Sequence, residues 1–487
     1  MTAPARWIDL AVIVAYLAGI TWFGAQFRSS QHTLRDYFLG GKTAPWWAIA
    51  LSIVSAETST LTVIGTPPLA FGGNFAFLQL VLGYLLARLV IAIFFLPAYF
   101  RGEMFTAYEL MRRRFGERIR RLTAVAFLVL RALAEGVRVF AVSIVISIVL
   151  GSGETASIVA ILCLTLFYTY EGGLTAVIWT DVVQMVLYVV GAVVSLVLLL
   201  QQIPGGWAHV AAVAGPLGKL QVFDFRLAEP AVFFTRTYSF WAGVLGGCFL
   251  TTASHGTDQL MVQRLLAARN LGQSRTALLA SWVVIFLQFT LFLVIGTCLF
   301  VLYREQGQAA PVVLDRLYPL YIWQKLPAGV AGLVMAAILA AAMSNLSAAL
   351  NSLASTTVLD LWKPLFGGAA DDVTWLRRSR YATIFWGVAL TGVALVARQW
   401  GSVLQAGLSI ASIVYGALLG VFLLGLFTRR VGETSAMCGM SVGLALLLYV
   451  RFATPIAFTW YVAIGASATF LTAVLVSWCI KEPAHGA

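Results

Sequence analysis

Residues 336–360, AAILAAAMSNLSAALNSLASTTVLD, thread Ser344, Asn345, Ser347, Asn351, Ser352 and Ser355 through an otherwise apolar helix. Polar atoms at membrane depth are tolerated where they face a bundle interior or a cavity. Ser344 and Ser347 lie three apart and Asn351 four further on, so these three share one helical face. Oxygen-only side chains without fixed charge suit a weakly held hard cation, whereas transition metals prefer His and Cys. A single serine of this kind more often eases helix packing or bonds back to the preceding turn. The stripe as a whole points to an ion.

Two other apolar stretches are hydroxyl-rich and interrupted. ALSIVSAETSTLTVIGTPPLAF carries Ser52, Ser55, Thr58, Ser59, Thr60 and Thr62, then Gly65, Pro67 and Pro68; FWAGVLGGCFLTTASHGTDQ carries Gly243, Gly246 and Gly247, then Thr251, Thr252 and the run Ser254 to Gln259. Charges also fall inside apolar segments: Glu57, Glu135, Asp181, Arg88, Arg131 and Arg138, with Asp258 near the end of the second stretch. An isolated charge near the bilayer centre costs about 2.5–3.5 kcal/mol on insertion scales, so each needs a partner or a task. Arg131, Glu135 and Arg138 at i, i+4 and i+7 read as an ion-pair ladder on one helix face. Glu57, placed at the expected helix break, has three open roles: helping to hold a cation, gripping a substrate amino group, or taking up a proton. With a nearby arginine such as Arg138 it would recognise a zwitterion or a carboxylate.

The elements that position these groups follow from composition. The chain has 487 residues, 60% apolar and 11% charged, far below the quarter of charged residues in ordinary soluble domains. It reads as an all-α polytopic membrane protein, with thirteen apolar segments near 8–27, 45–71, 76–100, 122–150, 155–170, 174–200, 238–262, 277–303, 328–358, 380–397, 403–427, 434–450 and 456–480. The first lacks the charged start and small-residue cleavage site of a removable signal peptide and is expected to stay as a helix. The five cysteines are scattered through apolar segments with no CxxC spacing and read as small hydrophobes.

The net charge of +12 does not imply nucleic acid. With the N-terminus outside, inner loops hold 20 Lys/Arg and outer loops 9, which fits a cytoplasmic C-terminus by the positive-inside rule. The run Arg112 to Arg121 then fixes topology and meets anionic lipid heads. Setting aside an N-terminal region 1–44 and two C-terminal helices in 428–487, ten helices fall into 45–200 and 238–427 around a linker at 201–237. Five helices per half place the halves in opposite orientation, the inverted repeat of many secondary transporters, in which the first helix of each half is broken near the midplane.

Motifs along nearly the whole chain carry a resemblance: DYFLGGKTAPWWAIALS, FTAYELMRRRFG, YEGGLTAVIWTDVVQ, HGTDQLMVQR, AAAMSNLSAALNS and GVFLLGLFTRR. In this order the chain resembles the sodium:solute symporter family, which includes the sodium–glucose, sodium–proline and sodium–sialic acid transporters. The resemblance implies the LeuT-type fold. It implies a main sodium site between the broken first helix and the serine-striped helix: the carbonyls of Ser55, Thr58 and Ala341 and the hydroxyl of Ser344, with Asn345 where the family usually has a second hydroxyl. Asp181 and Ser347 match two positions of a second sodium site that some members use, but the third is Ala348, so one sodium is expected. The sugar-contacting positions of the family correspond to Thr62, Asp258 and Gln259, and their types disfavour glucose-like recognition.

The function expected is sodium-driven uptake of a small organic solute, amino-acid or carboxylate-like rather than sugar, across a bacterial inner membrane, with no cofactor. No HExxH, GxSxG, Walker or paired-histidine pattern supports an enzyme. A proton-coupled symporter of the same fold, motivated by Glu57 and Asn345, and a transporter-like receptor are the alternatives.

Overall fold

Long runs of Val, Leu, Ile, Phe and Ala satisfy their backbone polar groups in lipid only as helices, and helices are what the chain forms. The computed structural model describes residues 6–26, 42–101, 107–168, 174–226, 230–362 and 372–480, and among them there is no strand. In order, the first part comprises α1 (Trp7–Ala25), α2 (Trp46–Glu57), α3 (Thr60–Gly72), α4 (Leu78–Phe100), α5 (Ala107–Phe115), α6 (Glu117–Leu150), α7 (Glu154–Tyr168), α8 (Leu174–Gln202) and α9 (Gly206–Ala214). The rest comprises α10 (Phe240–Gly256), α11 (Gln259–Leu266), α12 (Leu271–Glu305), α13 (Leu317–Lys325), α14 (Val330–Ser355), α15 (Asp372–Ala397), α16 (Val403–Phe427), α17 (Glu433–Ala453) and α18 (Tyr461–Cys479).

Among the described residues, seven of these are long and apolar enough on their own to cross a membrane, and α2 with α3 makes an eighth, bent span. Helices also stand at the other places expected from hydropathy, with α14 and α15 each running 26 residues. The outward faces are aliphatic, as lipid requires: Val183, Val186, Val190, Val193 and Val197 form one exposed ridge on α8 at alternating spacings of three and four.

Both expected breaks are present. α2 ends at Glu57 because Thr58 (φ −86°, ψ 97°) and Ser59 (φ −97°, ψ 176°) are extended, and α3 leaves at 67° to it. The break is set by this hydroxyl-rich dipeptide and not by Pro67 and Pro68, which lie inside α3. α10 likewise ends at Gly256, and the extended Asp258 caps α11 by accepting from the Leu260 N–H at 2.9 Å.

α4 packs on α10 backbone to backbone. A Cβ on Gly247 would lie 2.2 Å from the Leu80 carbonyl, and one on Gly83 would lie 2.3 Å from that of Val244. Gly243 and Gly247 thus supply the small-xxx-small face that membrane helices use for close approach. α2 packs between α8 and α12, and α14 packs on α1, α6, α8 and α15. Several helix ends are capped by charged side chains from distant elements. Asp9 accepts from Gly329 and Gly332 N–H at the start of α14, both at 2.7 Å. Glu433 accepts from Arg118 and Ile119 N–H at the start of α6, at 2.6 and 3.1 Å. Lys219 donates to the Phe71 carbonyl at the end of α3, at 2.7 Å. Each charge complements the helix dipole at its end.

Candidate functional site

The site begins at the first break. With Thr58 and Ser59 extended, the terminal carbonyls of α2, that of Ser55 among them, lose their intrahelical partners. Ser55 is 3% and Thr58 1% exposed, so these oxygens face protein. Gln288 of α12 donates through Nε2 to Thr58 Oγ1 at 2.8 Å. Tyr188 of α8 brings its hydroxyl beside Ser55 and Thr58. Thr62 is buried in the first turn of α3. On α14, Asn345 is half-buried, whereas the side chains of Ala341, Ser344 and Ser347 lie outside the described residues.

Glu57, the last residue of α2, receives Arg88 Nη2 at 2.6 Å and faces His255 Nε2 at 3.3 Å on the same carboxylate oxygen. Arg88 is fully buried and also donates to Ser281 Oγ at 3.1 Å. His255 Nδ1 meets Ser254 Oγ at 2.9 Å. The arginine at hydrogen-bond distance from Glu57 is therefore Arg88 on α4. Arg138, the arginine expected there, is engaged by Glu135 at 2.7 Å. One carboxylate ties the end of α2 to α10 two residues before that helix breaks.

The ladder on α6 forms as its spacing implies, with Arg131 3.1 Å and Arg138 2.7 Å from Glu135 Oε1. It reaches the second break, where Asp258 Oδ2 lies 3.8 Å from Arg131 and accepts from the Tyr415 hydroxyl at 2.7 Å. Arg131 and Glu135 side chains are 8% and 1% exposed, but Arg138 is 27% exposed. Asp181 is tied to Arg264 of α11 at 2.9 Å and to Ser52 Oγ at 2.7 Å. Gln259 accepts from the Ala107 N–H at 2.8 Å, which directs its amide to α5.

Sequence reading missed Arg264, Gln288, Tyr188 and Tyr415. Arg264 was counted among loop charges, yet it is 4% exposed, because α11 carries it back into the bundle. The apolar residues around it in QLMVQRLL were the available signal. With Glu57, Glu135, Asp181 and Asp258 each paired with an arginine, the oxygens left at the first break are neutral ones. That chemistry suits reversible binding of a hard monovalent ion.

Residues 37–443 match the model of the sodium:solute symporter family. The chain belongs to that family. It is 30% identical to the human sodium/iodide cotransporter over 449 residues, covering 90% of this chain and 68% of the relative. It is 26% identical over 485 residues to the sodium/sialic acid symporter SiaT of Proteus mirabilis (strain HI4320), covering 96% and 95%. The structure superposes on the substrate-bound, outward-open state of a Na+-coupled sialic acid symporter with a TM-score of 0.85, at 25% identity, covering 99% of each chain. The family member is thus an integral membrane transporter of LeuT-type fold, with Na+ as coupling ion.

Proposed function

We propose that this symporter carries a small carboxylate-bearing solute into the cytoplasm together with one sodium ion. The observation that carries the substrate class is Arg138, whose guanidinium gives one hydrogen bond to Glu135 and is the most open of the ladder residues. A fork of remaining donors at mid-helix depth suits a carboxylate. The iodide and sialic acid relatives are named for anionic solutes, which favours the same sign of charge. In this reading sodium sits at Ser55, Thr58, Ala341, Ser344 and Asn345, and Thr62 and Asp258 border the solute. Sodium coupling is favoured over proton coupling because Glu57, the acid that would carry the proton, is bound to Arg88.

Alternating access then works between the halves 45–200 and 238–427. A cavity of about 1020 Å3, lined by Leu69, Gly73, Tyr238, Asp315, Arg398 and Gln405 among others, opens at the end of the bundle that holds the 201–237 linker. The positive-inside bias makes that end extracellular and the C-terminus cytoplasmic. Sodium binds this arrangement better than the inward one and so biases the molecule to receive solute from outside.

The test is uptake into proteoliposomes, with thermal unfolding in sodium against choline at constant ionic strength. Sodium is expected to raise the unfolding temperature in the wild type and to lose most of that effect in Ser344→Ala. Arg138→Ala should raise the KM for the transported carboxylate by about ten- to a hundredfold, the loss of one charged hydrogen bond, with its sodium response intact. Uptake indifferent to sodium, or an Arg138→Ala variant with unchanged KM, would discard the corresponding half of the proposal.

A further inference from the structure

Gln288 is 3% exposed, and its amide is half satisfied: Nε2 reaches Thr58, while the buried Oε1 has no partner. Tyr188, also 3% exposed, brings its buried hydroxyl beside Ser55 and Thr58 in a geometry that falls short of a well-formed hydrogen bond to either. Thr60, the first residue past the break, has a third unpartnered buried hydroxyl. Leaving a buried polar atom unpaired costs about 1–3 kcal/mol, so native interiors hold few of them. Here two orphans, from α8 and α12, converge on one threonine at a helix break.

What would satisfy them must accept oxygen donors alone. The acids nearest the break are spoken for, Glu57 by Arg88 and Asp181 by Arg264. No group of three or more His, Cys, Asp or Glu that could hold a metal occurs among the described residues. An amide oxygen, a phenol and aliphatic hydroxyls form a neutral hard-donor set, which fits a monovalent cation. We propose that Gln288 Oε1 and Tyr188 Oη are further ligands of the coupling sodium, held from α8 and α12 in addition to the α14 side. The inference rests on the reading of this break as the ion site. It gives α12 a direct part in sensing the ion, since α12 packs along both α2 and α3.

The experiment is thermal unfolding of the purified full-length protein against sodium chloride, with choline chloride holding ionic strength constant, in wild type, Gln288→Leu, Gln288→Glu and Tyr188→Phe. Gln288→Leu is expected to raise the sodium concentration giving half the stabilisation by about tenfold or more, the equivalent of one lost ligand. Its unfolding temperature in choline should change little, because removing the unpaired oxygen offsets the lost hydrogen bond to Thr58. Tyr188→Phe should shift the same midpoint in the same direction, and Gln288→Glu, which keeps an oxygen there, should restore sodium binding. A wild-type sodium midpoint in both Gln288→Leu and Tyr188→Phe, as expected if only water fills the gap, overturns the proposal. So does an unfolding temperature that falls equally in sodium and choline. A wild-type protein indifferent to sodium would instead remove the ion site itself.

Discussion

Glu57, Glu135, Asp181 and Asp258 lie deep in the bundle, each with an arginine 2.6 to 3.8 Å away. Removing one member of such a pair strands a buried charge, typically at about 3–5 kcal/mol, so these residues act on stability before they act on transport. Asp315 is the counterexample. It is 3% exposed, one oxygen accepts from the Val403 N–H at 3.0 Å at the start of α16, and the other has no partner. Burial pushes its carboxyl up from 3.8 to about 6, and the Val403 N–H offsets only part of this. Between those values the folded protein keeps a proton that the unfolded chain has released, so stability falls as pH rises through that window and stays low above it. At about 1.4 kcal/mol per unit, ionised Asp315 costs the folded state up to about 3 kcal/mol above pH 6. Asp315→Asn should therefore raise the unfolding temperature at pH 7.5 and leave it nearly unchanged at pH 4. Parallel pH profiles for the two proteins would assign Asp315 no such cost.

At the scale of elements, the breaks work because their neighbours are fixed. α10 is held against α4 by glycine contacts with no room for a side chain, and Tyr99 donates to the Gly256 carbonyl at 2.5 Å where α10 ends. Gly247→Leu would drive a side chain into the Leu80 carbonyl, and overpacking of this kind costs about 3 kcal/mol or more. The expected outcome is a much lower yield of monodisperse protein by size-exclusion chromatography. Val190→Leu on the lipid-facing ridge of α8, 52% exposed, should behave like the wild type. Equal yields would mean that α4 and α10 can separate without loss. The short helices α5, α9 and α13 lie outside the long spans; a loop beside α9 supplies Lys219 as the cap of α3.

At the scale of the molecule, the charge bias and the cavity make one statement about orientation. The basic run Arg112 to Arg121 lies at the start of α6, whereas Glu154, which lines the cavity, lies just past the other end of that helix, so the positive-inside rule turns the cavity outward. Single cysteines at Gln306, in the exposed turn after α12, and at the exposed native Cys479 give the check. In intact cells a membrane-impermeant maleimide should label Gln306→Cys and spare Cys479. The reverse pattern would invert the topology and turn the cavity toward the cytoplasm.

The sequence by itself determined the fold class, the family and the places where helices break. Those depend on local chemistry: apolar runs become helices in lipid, and Thr58–Ser59 and Thr257–Asp258 sit where hydroxyls and small residues weaken the helix. The Arg131–Glu135–Arg138 ladder was legible for the same reason, since its members lie within two turns of one helix. The partners of the buried charges were not legible. Arg88 meets Glu57 across 31 residues, Arg264 meets Asp181 across 83, and Gln288 meets Thr58 across 230. Periodicity carries no information at such separations, and only the packing of α4, α8, α11 and α12 around the break decides which charge is neutralised and which buried oxygen is left without a partner.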